Sequence, residues 1–233
     1  MRFATPLEPA QLIRRYKRFL IDVTTASGET LTASCPNTGS MHGLTTPDSR
    51  VWLSRSDNPK RKYTHTLEIV EADGNLVGVN TQHPNRLVRE GIEQGVIEPL
   101  AGYASLKPEQ KYGENSRIDI LLSDPERGHC YVEVKNTHMK RGPEVEFPDA
   151  VTSRGTKHLK ELAAMVAAGH RAVMVYLVQR DDADVFRIAA DIDPAYAAAL
   201  QQARAAGVEV LVYACRVTPE EIAVHRQLQI DSD

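Results

Sequence analysis

Two acidic residues and a lysine lie on two successive apolar runs in the middle of the chain. Asp119 belongs to the run 116–123, and Glu133 and Lys135 belong to the run 129–135. Because side chains alternate between the faces of a strand, Glu133 and Lys135 share one face of their strand. The apolar residues of the first run share the face opposite to Asp119: Ile118, Ile120 and Leu122. Carboxylates with an ammonium group nearby are the side chains that bind a divalent cation and stabilise charge on a phosphate ester.

The segment between the two runs predicts a hairpin. Symmetric pairing about Glu126 sets Asp119 directly opposite Glu133, and a slip of one residue would undo that pairing. Carboxylates opposite each other on neighbouring strands have Cβ atoms about 5 Å apart and repel one another. A hard cation such as Mg²⁺ or Mn²⁺ binds one or two carboxylates together with water and substrate phosphate, and would turn the repulsion into a binding site. We therefore predict a Mg²⁺ or Mn²⁺ site held by Asp119 and Glu133.

The same three residues predict hydrolysis of a phosphodiester. The metal would supply the nucleophile and Lewis acidity, and Lys135 would orient the water or neutralise charge that develops on the phosphate. Asp119, Glu133 and Lys135 are thus the predicted catalytic residues. Glu-x-Lys is a common pattern, however, and the alternative is a solvated strand face with an incidental ion pair.

The chain before residue 83 predicts short strands without a helix. Turn residues separate the apolar runs, and Asp73-Gly74 between two of them is a hairpin signal. The predicted strands are Leu12–Thr24, Glu29–Cys35, Arg50–Arg55, Tyr63–Glu71 and Leu76–Asn80. Five such strands fit the OB fold, a five-stranded barrel that often binds oligonucleotides. Residues 1–82 are therefore predicted to form an OB-like nucleic-acid-binding domain.

Helical and β-branched segments alternate from Pro84 onwards. The predicted helices span 84–94, 156–168 and 194–206, and the predicted strands span 116–123, 129–135, 171–179, 185–190 and 208–214. This alternation predicts an α/β domain, with a central mixed sheet covered by helices, over residues 83–233.

Basic residues cluster in two places in the first domain. Residues 1–82 contain 10 Lys and Arg against 8 Asp and Glu, although the net charge of the whole chain is −3. The clustered residues are Arg14, Arg15, Lys17 and Arg18 in one segment, and Lys60, Arg61 and Lys62 in the other. Local patches set the field that a phosphate backbone meets. We predict that both clusters bind nucleic acid, with DNA as the expected partner and RNA as the alternative.

Aromatic residues lie close to these cations. Phe19, Trp52 and Tyr63 could stack on bases. The alternative is that they fill the barrel core, which the apolar neighbours of Trp52 favour for that residue. The turn-forming loop 36–41 could present backbone donors to an anion, although its residue types alone explain a loop.

Several longer strings occur in one order that is known from a protein family. They are Pro36-Asn37-Thr38-Gly39-Ser40-Met41, the string Tyr112–Asp119, Glu133-Val134-Lys135-Asn136, Phe147-Pro148-Asp149-Ala150 and the string Arg154–Leu162. They closely resemble the sugar fermentation stimulation protein A (SfsA) family over nearly the whole chain. The resemblance implies an OB-like domain joined to a PD-(D/E)xK nuclease-like domain. It also implies DNA binding and a regulatory link to sugar (maltose) metabolism.

The resemblance also implies roles for individual residues. Asp119, Glu133 and Lys135 match the Asp-(spacer)-Glu-x-Lys core of the nuclease-like superfamily. Glu90 matches the acidic residue often found on the first helix of such domains, which makes it a predicted metal ligand. A solvent-facing helical glutamate is the alternative. Ile118 stands where the superfamily name has proline, but the carboxylate is retained.

Three polar residues lie near the start of the helix predicted after Gly155. Arg154, Lys157 and His158 are predicted nucleic-acid contacts, because backbone N–H groups and cations at a helix N-terminus attract phosphate. The alternative for Lys157 is a surface ion pair with Glu161, four residues on. A lone histidine near a helix start is more often structural than a general base.

Cysteine usage and hydropathy exclude other classes of protein. The three cysteines lie far apart, which fits reduced thiols better than a disulfide framework, and no Cys or His pair has zinc-site spacing. No window approaches the ~18 consecutive apolar residues of a membrane span, and the first residues lack the apolar run of a secretory signal. We expect a cytoplasmic protein without a membrane partner.

These observations predict a DNA-binding protein with a metal-dependent nuclease-like site, a phosphodiesterase or endonuclease. The first alternative is a non-catalytic DNA-binding transcriptional regulator that retains the nuclease fold, since such folds also occur in proteins that only bind. The second is an enzyme that acts on another phosphorylated substrate.

Overall fold

The computed structural model describes residues 1–113 and 116–231. Glu114 and Asn115, which belong to the string Tyr112–Asp119, lie outside the described residues. The N-terminal strands are β1 (Glu8–Tyr16), β2 (Leu20–Thr25), β3 (Thr30–Ser34), β4 (Arg50–Arg55), β5 (His65–Ala72) and β6 (Asn75–Gly78). The remaining elements are α1 (Pro84–Glu93), β7 (Ser105–Tyr112), β8 (Ser116–Asp124), β9 (Gly128–Thr137), β10 (Met139–Arg141), β11 (Glu144–Phe147), α2 (Ser153–Ala167), β12 (Arg171–Val178), β13 (Val185–Ile188), α3 (Pro194–Ala205), β14 (Glu209–Val217), β15 (Ile222–Gln227) and β16 (Gln229–Ile230).

The first five strands form a closed barrel. They pair in the order β3-β2-β1-β4-β5, and the pairing of Ser34 with Thr66 joins β3 to β5 and closes the ring. Alternate residues fill the interior, among them Leu12, Val23 and Leu67. β6 pairs with the far edge of β5. The predicted five-stranded OB-like barrel is confirmed.

The predicted strand Leu12–Thr24 is two strands. The chain turns at Lys17 and Arg18, which have φ angles of 49° and 65°. The loop has three residues, since Tyr16 pairs with Leu20, and positive φ is uncommon for residues such as lysine and arginine. Here an Arg15 Nη2 donates to the carbonyl of Arg18 at 2.8 Å across the turn. Arg14 and Arg15 therefore lie at the end of β1, whereas Lys17 and Arg18 lie at the tip of the hairpin.

The second half of the chain contains the predicted mixed sheet. Its order is β15-β14-β12-β9-β8-β7, with β9, β12 and β14 parallel to one another and the other neighbours antiparallel. α1 packs on one face through Leu87 and Val88, and α2 and α3 pack on the other through Leu159 and Tyr196. The predicted strand 185–190 exists as β13, but it belongs to a second small sheet of order β10-β11-β13-β16. The α/β fold class is confirmed.

The barrel and the α/β part pack against each other. Trp52 is buried with Leu7 and Ile69 in a cluster that Val217 of β14 also contacts. This cluster is separate from the barrel interior, so Trp52 neither fills the barrel nor faces solvent. At Gly78 an added Cβ would lie 2.7 Å from Gln179 Oε1, which explains the glycine. No helix in residues 1–113 and 116–231 is long and apolar enough to cross a membrane.

Asp182 predicts a pH-dependent contribution to stability. Burial raises the pKa of its carboxyl, but hydrogen bonds from Arg180 and Lys140 outweigh this effect and lower the pKa from 3.8 to about 2. A lowered folded-state pKa stabilises the fold above the unfolded value, and this stabilisation is lost as the pH falls from about 4 to about 2. We expect Asp182→Asn to lower the free energy of unfolding by about 2 kcal/mol at pH 7. Urea titrations at pH 7, 4, 3 and 2 should show the difference from wild type shrinking; a constant difference would contradict the linkage.

Candidate functional site

β8 and β9 form the predicted hairpin in the predicted register. Ile120 pairs with Val132 and Leu122 pairs with Cys130, and the ladder ends at the Ile120–Val132 pair, one residue before Asp119 on β8 and Glu133 on β9. The register follows from the short turn between Asp124 and Gly128, which pair with each other.

The alternation of faces along β8 breaks at Asp119. Ile120 and Leu122 belong to the core on the α1 side, as one unbroken face requires, but Ile118 belongs to the core on the α2 side. The prediction that all three share a face is therefore wrong. The cause is the carboxylate of Asp119: its Oδ2 accepts the backbone N–H of Val134 at 2.8 Å, where a regular ladder would place a carbonyl.

Asp119 is also held by the first helix. Its Oδ1 accepts a hydrogen bond of 2.8 Å from Asn85 Nδ2, near the start of α1. Burial raises the pKa of Asp119, and the charge of Glu133 raises it further, although the bonds from Val134 and Asn85 act in the opposite direction. The charge of Glu133 therefore repels a negative charge on Asp119. A cation between them would relieve this repulsion.

Glu133 is almost fully buried on the α2 side, with 2% of its area exposed. Its Oε1 accepts a hydrogen bond of 2.7 Å from Lys135 Nζ and a second one from His158 Nδ1. Burial raises the pKa of Glu133, but the His158 hydrogen bond and the charge of Lys135 outweigh it and lower the pKa below its ordinary value. The carboxylate is therefore ionised, and its Oε2 is buried without a hydrogen-bond partner among the described residues.

His158 is a support for Glu133 and not a surface contact. Its side chain is buried, and its Nε2 accepts a hydrogen bond of 3.3 Å from Arg154 Nε. In the tautomer in which Nε2 accepts from Arg154, Nδ1 donates to Glu133, and Lys135 Nζ lies 3.3 Å from the same nitrogen. Both ring nitrogens have protein partners and the side chain is buried, so the structure does not place His158 as the predicted nucleic-acid contact.

The start of α2 explains this arrangement. The helix begins at Ser153, before the predicted residue 156, because the side chain of Thr152 caps it by accepting the N–H of Gly155 at 3.1 Å. The earlier start puts Arg154 and His158 one turn apart on the same helix. Lys157 is exposed and forms the ion pair expected as its alternative, 3.6 Å from Glu161.

Glu90 does not join Asp119 and Glu133. Its Oε2 lies 2.6 Å from the N-terminal ammonium of Met1 and its Oε1 accepts from Arg86 Nε at 2.8 Å. Burial raises the pKa of Glu90, but these two cations outweigh it and lower the pKa. Both oxygens are thus engaged by cations, so the structure does not support Glu90 as a metal ligand.

The α1 residue that reaches Asp119 is Asn85, five positions before Glu90. The sequence has no signal for it, because an asparagine after a helix-starting proline is ordinary. Asn85 and Asp119 line a cavity of about 200 Å³. The other residues that line it are Gln82, Arg86, Arg89, Pro108, Glu109 and Ile120.

Two carboxylates therefore make up the candidate metal site. Residues 1–113 and 116–231 contain no group of three or more His, Cys, Asp or Glu side chains arranged to hold a metal. The Asp119 carboxylate is held by Asn85 of α1 and the Glu133 carboxylate by His158 of α2. Two carboxylates are enough for a hard divalent ion, because such ions take few protein carboxylates and complete their shell with water and phosphate. The partnerless Glu133 Oε2 is the atom that such an ion would satisfy.

The fold brings the two basic clusters of the barrel together. The carbonyl of Phe19, next to Lys17 and Arg18, accepts the N–H of Cys35 at 2.8 Å. The residue before Cys35 is Ser34, whose hydroxyl lies 3.5 Å from an Arg61 Nη2. The end of β3 thus joins the hairpin tip to the loop that contains Lys60, Arg61 and Lys62.

The two arginines before the hairpin tip have structural partners. Arg15 donates to the carbonyls of Asn37, Gly39 and Ser40 at 2.8–3.3 Å, and so anchors the loop 36–41. Arg14 Nε lies 2.9 Å from Asp22 Oδ2. Arg15 is therefore not placed as the predicted phosphate contact, because its guanidinium is bonded to the protein.

Known proteins resemble this chain over its whole length. A family model described as "Sugar fermentation stimulation protein RE domain" matches residues 82–221, and one described as "SfsA N-terminal OB domain" matches residues 13–79. A sugar fermentation stimulation protein homolog of Rhodospirillum centenum is 64% identical over 233 residues, which is 100% of both chains. A homolog of Maricaulis maris is 56% identical over 99% of each chain.

The same family includes a solved structure. The structure of Pyrococcus furiosus SfsA in complex with Ca²⁺ matches with a TM-score of 0.89 and 26% sequence identity, over 99% of this chain and 98% of that one. The OB domain named by one family model and the fold of the Pyrococcus furiosus structure agree with the barrel and the α/β part described above. The chain belongs to the sugar fermentation stimulation protein family.

Proposed function

We propose that this protein binds DNA and carries a metal-dependent nuclease-like site that hydrolyses phosphodiesters. Residues 1–82 would grip the nucleic acid and residues 83–233 would hold the site. The observation that carries the proposal is the carboxylate of Glu133: it is buried and ionised, one of its oxygens has no partner within the described part of the chain, and its charge raises the pKa of Asp119. A buried acceptor atom without a hydrogen-bond partner is costly unless a ligand completes it.

Each residue of the site has a separate role. Asp119 and Glu133 would hold Mg²⁺ or Mn²⁺, which would activate the attacking water and polarise the phosphate. His158 and Asn85 fix the carboxylates through the hydrogen bonds described above. Lys135 Nζ, which is 15% exposed and bonded to Glu133 at 2.7 Å, provides the positive charge nearest to a phosphate at this site.

The Ca²⁺ complex of the Pyrococcus furiosus relative supports a divalent-cation site. Ca²⁺ and Mg²⁺ both prefer oxygen ligands. The free and buried state of the three cysteines fits a reducing compartment, which supports action in the cytoplasm. A regulatory role in sugar (maltose) metabolism rests on the name of the relatives.

Incubation of the purified protein with labelled DNA and RNA, single- and double-stranded, tests the proposal. We expect cleavage with Mn²⁺ or Mg²⁺ and none with EDTA, and we expect Asp119→Ala to remove it. Loss of cleavage must be accompanied by an unchanged melting temperature and circular dichroism spectrum. Metal-independent cleavage, or full activity of Asp119→Ala, would sink the proposal.

A non-catalytic DNA-binding regulator is the second candidate function. One observation in its favour is that Glu133 Oε1 already accepts hydrogen bonds from Lys135 and His158. A second is that the described residues provide no third carboxylate at the site. Sequence-dependent binding in EDTA, with no cleavage under any metal condition, would establish it.

Two substitutions of His158 test whether this residue orients Glu133 through its hydrogen bond or only fills space. Asparagine places its amide N–H near the Nδ1 position, whereas glutamine reaches towards the Nε2 position, so only His158→Asn can donate to Glu133. We expect His158→Asn to retain metal binding and His158→Gln to weaken it about tenfold, the usual scale for a residue that orients a ligand. Isothermal titration with Mn²⁺ measures this. Equal affinities for the two variants would contradict the assignment, and so would an Nε2–H tautomer in ¹⁵N spectra of the wild-type histidine.

A further inference from the structure

The hairpin tip and the loop between β4 and β5 form one cationic surface around an aromatic side chain. We call it the barrel-tip surface, and it consists of Lys17, Arg18, Phe19, Lys60, Arg61 and Lys62. All six side chains are exposed. The bond from Cys35 N–H to the Phe19 carbonyl and the contact of Arg61 with Ser34 hold its two halves side by side.

Phe19 is exposed although it is strongly apolar. Half of its area, 50%, faces solvent, and the other large exposed apolar side chains of the described residues, Ile13 and Val151, are aliphatic. The cause is local: the turn at Lys17 and Arg18 ends with Phe19, and its neighbour Leu20 takes the buried position. An exposed apolar ring among cations is a feature of binding surfaces.

The rest of the surface holds its shape through bonds to the protein. Arg18 Nε donates to the carbonyl of Thr38 at 3.0 Å, and Arg61 Nη2 donates to Thr66 at 3.0 Å. Lys62 lies over the ring of Tyr63, with Nζ 5.4 Å from the centroid. The partners in these contacts are a carbonyl, a hydroxyl and an aromatic ring, so they do not neutralise the positive charges of Arg18, Arg61 and Lys62. Phosphates are therefore the complementary partner.

We infer that the barrel-tip surface binds single-stranded nucleic acid and that Phe19 stacks on an unpaired base. This inference rests on the proposed nucleic-acid binding and names the class of strand. In a duplex the faces of internal bases are covered by their neighbours, so only the cations would contribute. In a single strand the ring adds stacking on one base, which does not depend on sequence.

A series of hydrogen bonds links the barrel-tip surface to the candidate site. Arg15, next to the hairpin tip, anchors the loop 36–41, and Ser40 of this loop donates through N–H and Oγ to Asp149 at 3.1 and 3.0 Å. Asp149 precedes α2, which holds His158 against Glu133. The surface and the site are thus fixed relative to each other by bonded contacts.

Fluorescence anisotropy in EDTA tests the inference without cleavage. The probes are a fluorescein-labelled 20-nucleotide single strand of mixed sequence and the duplex of the same sequence, at 50–200 mM salt. We expect Phe19→Ala to weaken single-strand binding about 5- to 150-fold, the range for loss of one stacked base. Duplex binding and the salt dependence should not change. Phe19→Trp should retain single-strand affinity, and Ile13→Ala, which removes another exposed apolar side chain of the barrel, should have no effect.

Lys17→Ala is expected to differ from Phe19→Ala, because it removes a charge and not a stacking ring. It should weaken both probes and lower the slope of log affinity against log salt by about 0.7 to 0.9, as expected for one lost phosphate contact. Equal loss for duplex and single strand in Phe19→Ala, or no loss, overturns the inference. Cleavage by wild type with metal is measured separately. A protein that cleaves but ignores Phe19 refutes this inference alone, and one that needs Phe19 but never cleaves refutes the nuclease proposal alone.

Discussion

Glu133→Gln is expected to abolish metal-dependent cleavage, with a loss of at least about 100-fold. Glutamine keeps the volume of the buried side chain but removes the charge that attracts a cation. Glu133 has 2% of its area exposed, and its Oε2 has no hydrogen-bond partner among residues 1–113 and 116–231, so glutamine would place an uncharged group where the cation would bind. Isothermal titration with Mn²⁺ should show weaker binding in parallel with the loss of cleavage of the substrate on which wild type is active.

The matched control for this variant is Glu90→Gln. The family resemblance makes Glu90 a metal ligand, whereas the structure pairs it with Met1 and Arg86. We expect Glu90→Gln to lower the melting temperature and to leave cleavage and Mn²⁺ affinity unchanged. Glu133→Gln with wild-type activity refutes the proposed site, and Glu90→Gln without activity in a folded protein restores the ligand set implied by the resemblance.

Arg180→Met is expected to destabilise the fold by about 3–5 kcal/mol, the cost of removing one partner of a buried ion pair. The Arg180 side chain is 2% exposed, and it donates to both carboxylate oxygens of Asp182 at 2.6 and 2.7 Å. It also donates to the carbonyl of His138 at 3.1 Å. Methionine fills much of the volume but removes the donor to Asp182 Oδ1 and to the His138 carbonyl and leaves Asp182 with Lys140 alone, so the loss is electrostatic and not a cavity effect.

Urea denaturation at pH 7 measures this loss, with Arg226→Met as the matched control. Arg226 pairs with Asp181 at 2.8 Å, but its side chain is 32% exposed. A solvated pair contributes less than about 1 kcal/mol. Equal losses in the two variants would show that burial of Arg180 does not set its contribution.

The sequence by itself determined the elements whose signals are local. Alternation of apolar residues located β8 and β9, and the short turn between them set the register from Asp124–Gly128 to Ile120–Val132. The start of α1 at Pro84 followed from proline and helical spacing. The five-stranded barrel followed from short runs separated by turn residues. The hairpin at Lys17 and Arg18 was missed because neither residue is a usual turn former.

Tertiary structure decided which functional groups meet. Asp119 takes the ladder position opposite Val134 and flips the face of Ile118, Glu90 pairs with the chain's own ammonium, and His158 turns inward to Glu133. The two basic clusters meet across the end of β3. Each outcome depends on a polar group finding its partner from a distant segment, since a buried donor or acceptor without one is costly. The periodicity of apolar residues predicts which face of a strand or helix a side chain lies on. It does not predict which residue of a distant segment becomes the hydrogen-bond partner of that side chain.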